Sequence, residues 1–114
     1  MDKLNNYRLI IKKILTEYHQ IASRTPNISG VETVLAFDEN TDQYLWFDIG
    51  WHDRRRVKAI SIYVRIKNEK IYIEEDWTEE GIATELVREG VPKGDIVLAF
   101  HDPESRKFTD FAIA

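Results

Sequence analysis

The chain has 114 residues and no cysteine, and its 20 acidic and 16 basic side chains give a formal net charge of −4. This length favours a single domain, and the lack of cysteine excludes disulfides, thiolate chemistry and cysteine-ligated zinc. Because stand-alone, non-specific DNA-binding proteins usually carry a basic footprint, the acidic balance argues against that class, although it leaves room for a local basic patch.

The first predicted element is an amphipathic helix over residues 2–22 that packs against the core. Its apolar residues recur at three- and four-residue steps. They are Leu4, Tyr7, Ile10, Ile11, Ile14, Leu15, Tyr18 and Ile21. Charged residues interrupt this segment and no apolar run approaches the ~20 residues of a membrane span, so we expect a cytoplasmic protein. Pro26 and Gly30 predict a loop over 23–30.

Four strands are predicted next, in the order of an antiparallel meander. Their ranges are 31–37, 43–51, 56–67 and 70–75. Between the last two strands, the pair 68–69 is short enough for a two-residue hairpin. That hairpin sets Ile66 opposite Ile71 and Val64 opposite Ile73, which keeps these apolar side chains on one face.

The second hairpin is predicted to have a four-residue loop over 52–55, which pairs Phe47 with Ile60 and Leu45 with Ile62. This register divides the side chains of the sheet between two faces. The core face would hold Leu45, Phe47, Ile49, Ile60, Ile62, Val64, Ile66, Ile71 and Ile73. The other face would hold Tyr44, Trp46, Ser61, Tyr63, Arg65, Tyr72 and Glu74.

This other face is amphipathic and aromatic, a composition that is enriched at protein interfaces. Three interpretations remain open from the residues alone. The second helix could cover the face, the face could bind a second copy or a partner protein, or its rings could stack on nucleic-acid bases. Its candidate partner-binding residues are Tyr44, Trp46, Tyr63 and Tyr72.

A second helix is predicted after the meander. Asp76 and Thr78 each offer an N-cap oxygen, and Glu79 has the capping-box spacing from Asp76. Gly90 fits the left-handed position after the helix, where Val91 can close the turn as in a Schellman motif.

An apolar run over 96–100 predicts a buried fifth strand, and the strand, helix and strand would then form a parallel crossover. The apolar end, residues 108–114, is expected to pack on the body of the protein. The whole chain, residues 1–114, therefore predicts one α+β domain. It would consist of an N-terminal helix, an antiparallel four-stranded meander, a second helix and a fifth strand.

No catalytic or cofactor motif is visible. The chain lacks GxxxxGKS/T, GxGxxG and GxSxG, and His19, His52 and His101 do not have metal-ligand spacing. Carboxylates cluster between residues 74 and 80, where helix capping and a solvated acidic rim account for them; this rim could also meet a basic partner. We therefore expect no enzymatic activity, no metal and no cofactor.

The one basic cluster consists of Arg54, Arg55 and Arg56, followed by Lys58, at the tip of a predicted hairpin. Long basic side chains at a tip can reach phosphates. Three arginines are few for DNA affinity, since each neutralised phosphate contributes about one unit to the salt dependence. Solvation or ion pairs with a protein partner are the alternative interpretations.

Three blocks of the sequence carry a family resemblance. They are Gly50-Trp51 followed by Arg54-Arg55-Arg56-Val57, the stretch KIYIEEDWTEEGIATELVREGVPKGDIVLAF over 70–100, and the ending PESRKFTDFAIA over 103–114. In this order they resemble the XisI family, the fdxN-element excision controlling factors of cyanobacteria. The likeness covers nearly the whole chain, and the first block is similar to that family's GWxxxRRV hairpin.

The resemblance implies an XisI-like fold and a role in programmed DNA excision, alongside a site-specific recombinase and a companion protein, XisH. It supplies no catalytic residues. The first hypothesis is therefore a non-enzymatic accessory factor that binds an XisH-like partner through the aromatic face and the tip at Arg54, Arg55 and Arg56. The alternative is a recombination directionality factor that binds DNA directly, and a homodimer is compatible with both.

Overall fold

The computed structural model describes residues 2–24 and 30–114, which form a five-stranded sheet, two α-helices and two short 3₁₀ helices (Lys93–Asp95 and Ser105–Phe108). The elements are α1 (Lys3–Arg24), β1 (Val31–Asp38), β2 (Gln43–His52), β3 (Arg55–Lys67), β4 (Lys70–Asp76), α2 (Ile82–Arg88) and β5 (Ile96–Leu98). The strands lie side by side in chain order. This arrangement confirms the predicted α+β fold, although most of the predicted loop over 23–30 lies outside the described residues.

The sheet is mixed rather than purely antiparallel. Strands β1 to β4 form the predicted meander, and β5 pairs with β4 in parallel. The predicted parallel crossover through α2 is therefore confirmed. Strand β5 ends at Leu98, two residues earlier than predicted, and Ala112 from the C-terminal end makes an isolated parallel bridge to Val97.

Helix α1 is held to the sheet by an apolar face and by polar contacts at its N-terminal half. The Asp2 carboxylate caps the helix by accepting the Leu4 N–H at 3.0 Å. The Arg8 guanidinium donates to both oxygens of Asp42, over 2.8 and 3.1 Å. The Tyr44 hydroxyl donates to the same carboxylate at 2.9 Å. Helix α1 is thus attached to the turn that precedes β2.

The hydrogen bond from Arg8 lowers the pKa of the Asp42 carboxyl, against the opposing effect of burial. In return, burial and the hydrogen bond to Asp42 raise the pKa of the Tyr44 phenol. Asp42 is therefore a carboxylate in the folded protein over the whole neutral and mildly acidic range.

The β3–β4 hairpin has the predicted two-residue loop. Asn68 and Glu69 both have left-handed backbone angles, with φ of 53° and 62°, as a type I′ turn requires. The predicted pairs Ile66–Ile71 and Val64–Ile73 are confirmed.

The β2–β3 hairpin also closes with two residues, so the predicted four-residue loop is wrong. His52 pairs with Arg55, and Asp53 and Arg54 form the turn with φ of 47° and 67°. The primed turn matches the twist of the two long strands, which explains why the ladder continues to the tip. The next pair in the ladder, Trp51 with Arg56, is the one that the longer loop would also give.

A β-bulge interrupts the same hairpin in its middle. Phe47 lies opposite Ile60, as predicted, but Trp46 lies opposite Ile62. Ser61 is therefore an extra residue on β3 with no partner on β2. Neighbouring side chains on a strand point to opposite faces of the sheet. One extra residue therefore shifts the pairing of the residues beyond it by one position and exchanges the faces that they occupy.

The predicted pairing of Leu45 with Ile62 is consequently wrong. Leu45 lies opposite Tyr63, and Tyr44 lies opposite Val64. Because Val64 is buried in the core, Tyr44 shares its face and is buried too. Leu45 lies on the other face of the sheet.

Helix α2 begins later than predicted, after a loop that Asp76 organises. The Asp76 carboxylate accepts the backbone N–H of Thr78 at 2.9 Å and that of Ile82, the first helical residue, at 2.7 Å. The expected capping box between Asp76 and Glu79 does not form, because Glu79 precedes the helix. The predicted left-handed glycine after α2 is confirmed, since Gly90 has φ of 101°.

The C-terminal end of α2 has both hydrogen bonds of a Schellman motif. The Val91 N–H donates to the Leu86 carbonyl, and the Gly90 N–H donates to the Val87 carbonyl, each at 3.0 Å. Leu86 and Val91 are both buried in the core. The motif turns the chain back toward the sheet, where β5 begins.

Both helices pack on the same face of the sheet. The buried cluster consists of Tyr7, Ile10, Ile11, Ile14, Leu15, Tyr44, Ile62, Val64, Ile66, Ile71, Ile73, Ile82, Leu86, Val91 and Ile96. Residues from α1, α2 and four strands contribute to this cluster. The interpretation in which α2 covers the opposite face is therefore wrong.

Gly50 is required where β1 begins beside β2. The Trp51 N–H donates to the Gly30 carbonyl at 2.9 Å, which brings the start of β1 close to the backbone of β2. A Cβ atom added to Gly50 would lie 2.0 Å from the Gly30 carbonyl oxygen, and Gly50 has φ of 149°. Only glycine fits at this position.

We expect Gly50→Ala to lower the free energy of unfolding by about 2 kcal/mol or more, because the new methyl group collides with backbone atoms. Chemical denaturation followed by circular dichroism measures this. Gly94→Ala is the matched control, since a Cβ there meets no atom within 4 Å. Equal stability of the two variants would contradict the close approach at Gly50.

We expect Asp42→Asn to lower the free energy of unfolding by about 1–2 kcal/mol at pH 7, because it removes a charged hydrogen-bond acceptor for Arg8. Since folding lowers the pKa of Asp42, this stabilisation exists above the unfolded-state pKa of about 3.9 and is lost as the pH falls through the folded-state value.

The stability difference between the wild type and Asp42→Asn should therefore shrink as the pH falls below about 4. Denaturation curves from pH 7 to pH 2.5 test this, with Asp110→Asn as the control at a carboxylate that is 83% exposed. A difference that stays constant across this range would contradict the role of the Arg8–Asp42 pair.

Candidate protein-binding surface

One face of the sheet has neither α1 nor α2 packed on it. We call it the open face. Its position follows from Trp46, whose indole N–H donates to the Thr33 hydroxyl and whose ring stacks on Tyr18 of α1 at 6.0 Å. Because side chains alternate along a strand, the neighbours Leu45 and Phe47 lie on the opposite side from α1.

The centre of the open face is apolar. The strand register places the following apolar residues there: Val34, Ala36, Leu45, Phe47, Ile49 and Ile60. None of them is among the fully buried residues of the core, although all but Ala36 are half-buried by their neighbours on the strands. Contiguous apolar surface of this kind marks interaction sites on folded proteins.

Polar and aromatic side chains surround this apolar centre. The Tyr63 hydroxyl donates to the Gln43 side-chain oxygen. Arg65 forms an ion pair with Glu74 at 3.1 Å. Half-exposed aromatic and arginine side chains beside an apolar centre are typical of protein interfaces.

The predicted aromatic face is wrong for two of its four candidate binding residues. Tyr44 is 0% exposed and Trp46 is half-buried, and both pack on the helix side of the sheet. Tyr63 and Tyr72 do lie on the open face, but Tyr72 is only 6% exposed, with the Lys67 ammonium 4.9 Å from its ring centre. The bulge at Ser61 is the physical reason for the exchange of faces.

The structure assigns to the open face four residues that the sequence analysis placed in the core: Leu45, Phe47, Ile49 and Ile60. The run Tyr44-Leu45-Trp46-Phe47 is apolar at every position. A period of two cannot assign faces in such a run. The uninterrupted run of large apolar residues was the sequence signal that both faces of β2 carry large side chains.

The arginine cluster lies at the tip of the β2–β3 hairpin, where Arg54, Arg55 and Arg56 are all exposed, as expected for a turn. The Arg56 guanidinium lies 5.4 Å from the centre of the Trp51 ring and donates to the Gly50 carbonyl at 3.4 Å. Arg56 is thus partly engaged within the hairpin. A role of the tip in binding stays a prediction.

Trp77 is an exposed aromatic residue that the sequence analysis did not assign to a binding surface. It is 77% exposed, and its indole N–H donates to Glu75 at 2.7 Å. The chain leaves the end of β4 at this residue. Its position after the strand and before α2, in a polar segment, was the only sequence signal that it would be exposed.

The acidic segment makes local structural contacts, and of the capping predicted for it only the part that Asp76 plays is confirmed. Asp76 caps the loop before α2, and Glu74 pairs with Arg65. Glu79 and Glu80 line a groove between α1 and α2, where Tyr18 also lies. Burial, followed by the charge of nearby carboxylates, raises the pKa of the Tyr18 phenol.

Within the described ranges, no three histidine, aspartate or glutamate side chains come together in a way that could hold a metal ion. His19 lies against the Thr33 carbonyl, and His52 lies beside Asp53 at the hairpin tip. No helix in the described part of the chain is long and apolar enough to cross a membrane.

Comparisons with known proteins agree with this architecture. The family model described as XisI protein matches residues 1–113. The crystal structure of the fdxN element excision controlling factor XisI from Anabaena variabilis is 42% identical, with a TM-score of 0.89 over 99% of this chain and 100% of that one.

A XisI-like protein from Anabaena variabilis is 34% identical, with a TM-score of 0.88 and the same coverage of both chains. No curated protein matches the chain. The similarity therefore extends over the complete fold and is not limited to one motif.

We expect Trp46→Ala to lower the free energy of unfolding by about 2–3 kcal/mol, because the ring packs under α1 and the substitution leaves a cavity there. Trp77→Ala is the matched control and should change stability by less than about 0.5 kcal/mol, since the side chain is exposed. Thermal and chemical denaturation of both variants measure this. Similar losses for both tryptophans would contradict the assignment of faces.

Proposed function

Because the chain belongs to the XisI family, we propose that it is a non-enzymatic accessory factor that controls excision of a DNA element by binding a partner protein. The observation that carries this proposal is the open face. A sheet face with an apolar centre and no helix over it exposes surface that a partner protein can bury. The fdxN element excision controlling factor from Anabaena variabilis supplies the biological context.

The first partner that we propose is a XisH-like companion protein, which would dock on the open face around Phe47, Ile60 and Tyr63. These residues come from two adjacent, paired strands. Burial of apolar area drives such association, and each large side chain that is fully buried contributes about 1.5–3 kcal/mol. A site-specific recombinase is the second protein that this complex would contact.

The tip arginines support a second candidate function, direct contact with DNA as a recombination directionality factor. Arg54 and Arg55 are exposed at the end of a hairpin that extends past the end of β4. Their guanidinium groups can reach phosphates. The net charge of −4 favours the protein partner as the main source of affinity.

We expect co-expression with a XisH-like companion to give a stable complex in size-exclusion chromatography with light scattering, and we expect Phe47→Glu to abolish it. A charge at the centre of the open face would be buried without a partner in the complex. Leu9→Glu is the matched control, because Leu9 is an exposed apolar residue of α1, 50% accessible, on the helix side.

Both variants must retain the wild-type circular dichroism spectrum and cooperative melting. A complex that survives Phe47→Glu would reject the open face as the binding surface. If instead the wild type forms no complex and binds duplex DNA with strong salt dependence, and Arg55→Glu with Arg56→Glu removes that binding, the DNA-binding alternative replaces the proposal. Light scattering of the protein alone gives its oligomeric state in the same experiment.

A further inference from the structure

The outer edge of β3 is unpaired near the hairpin tip. Strand β3 begins at Arg55, but its pairing with β4 begins only at Ile62, opposite Asp76. The Trp77 N–H still donates to the Ser61 carbonyl at 2.9 Å, after which the chain turns away toward α2. Among the described parts of the chain, residues 55–60 of β3 therefore pair with β2 alone.

The backbone of this edge presents hydrogen-bonding groups outward. The Trp51 N–H donates to the Gly30 carbonyl and therefore points toward β1, away from β3. Trp51 and Arg56, which lie opposite each other, consequently form a pair that exchanges no backbone hydrogen bonds. Pairs alternate along an antiparallel ladder, so the N–H and C=O of Arg56 and of Lys58 point away from β2. A strand edge of this kind is a template for one more strand.

The side chains along the edge determine which strand would fit. Arg55, Arg56 and Lys58 are exposed there, and no acidic residue lies between positions 55 and 60. A hollow lies beside the edge, lined by Lys58, Ala59, Ile60, Ser61, Glu75 and Trp77. The exposed ring of Trp77 forms one wall of this hollow and can cover an apolar side chain.

We infer that residues 55–60 of β3 take up an extended, acidic segment of a partner protein as an additional strand, in line with β4. The main-chain groups of Arg56 and Lys58 would provide the hydrogen bonds of β-augmentation, and the cationic side chains would select acidic residues opposite them. An apolar residue of the segment would lie against Trp77. This inference deepens the proposed function and rests on it only for the identity of the partner.

A second copy of this chain fits the edge less well. Two copies of residues 55–60 would bring the same three cationic side chains together from both sides, and like charges on paired strands are destabilising. DNA fits less well too, because phosphates cannot both donate to and accept from the alternating N–H and C=O groups of a strand edge. Both are outcomes that the experiment distinguishes.

The test uses a blocked heptapeptide in which glutamate alternates with valine, and a counterpart with lysine in place of glutamate. We expect the acidic peptide to bind the full-length protein and to slow hydrogen exchange at the amides of Arg56 and Lys58, as measured by NMR. The basic peptide should bind at least about tenfold more weakly, because its charges repel those of the edge.

Two substitutions at one position distinguish the contribution of the backbone N–H to peptide binding from that of the side-chain charge. Lys58→Pro and Lys58→Gln both remove the ammonium group, but only Lys58→Pro removes the outward N–H donor. Proline is tolerated where the N–H of an edge strand faces solvent. We expect Lys58→Pro to weaken binding of the acidic peptide at least about tenfold relative to Lys58→Gln, each tenfold step being about 1.4 kcal/mol.

Equal affinity of the two variants for the acidic peptide would overturn the inference. So would a failure of the acidic peptide to slow hydrogen exchange at the amides of Arg56 and Lys58 in the wild type. Protection by duplex DNA and not by the acidic peptide would overturn it in favour of phosphate contact. Protection in the protein alone, with a doubled mass in light scattering, would assign the edge to a second copy. If Lys58→Pro does not fold, the exchange measurement on the wild type decides the question.

Measuring how the companion protein binds the wild type and Lys58→Pro distinguishes a failure of this inference from a failure of the proposed function. A companion that binds the wild type and Lys58→Pro equally would reject strand addition by that partner and leave the open face as its surface. A companion that does not bind the wild type would reject the proposed function, and the peptide titration would still test the edge of β3.

Discussion

The β-bulge at Ser61 decides which side chains of the sheet pack under the helices. Beyond the bulge, Tyr44 and Trp46 face α1, and Leu45 and Phe47 face the other way. The buried Tyr44 hydroxyl then reaches Asp42, which also binds Arg8 of α1. The extra residue on β3 therefore determines which side chains of β2 join the core, which of them reach the polar contacts of α1, and which lie on the open face.

The position of α2 explains why that open face is exposed. Asp76 organises the loop that leads from β4 into the helix, and the Schellman motif at Gly90 turns the chain back toward the sheet. Between these two points α2 packs beside α1 rather than on the opposite side. With both α-helices on one side of the five-stranded sheet, the apolar centre of the other side has no α-helix over it, and a partner protein can supply a second layer there.

The hairpin block that resembles the family motif contains residues with two kinds of role. Gly50 is required by the close approach of β1, and Arg56 packs over Trp51 and donates to the Gly50 carbonyl. These contacts maintain the shape of a long hairpin. Arg54 and Arg55, by contrast, have no such contacts in the hairpin and extend from a tip that lies past the end of β4, where a partner can meet them.

The amino-acid sequence by itself determined the elements whose signals are local. These are the period of α1, the two-residue turn at Asn68 and Glu69, and the glycine that ends α2, Gly90. The family resemblance was carried by short blocks in order, and so it too was readable without a structure.

Only the tertiary structure decided which face each residue of β2 occupies, because that depends on pairing between distant strands. Four apolar residues in succession, from Tyr44 to Phe47, satisfy either register, and nothing near Ser61 in sequence marks it as unpaired. The side of the sheet that α2 covers was likewise undetermined, since its apolar stripe fits either face. Local chemistry specified the elements, and packing between them specified the surface that is left for a partner.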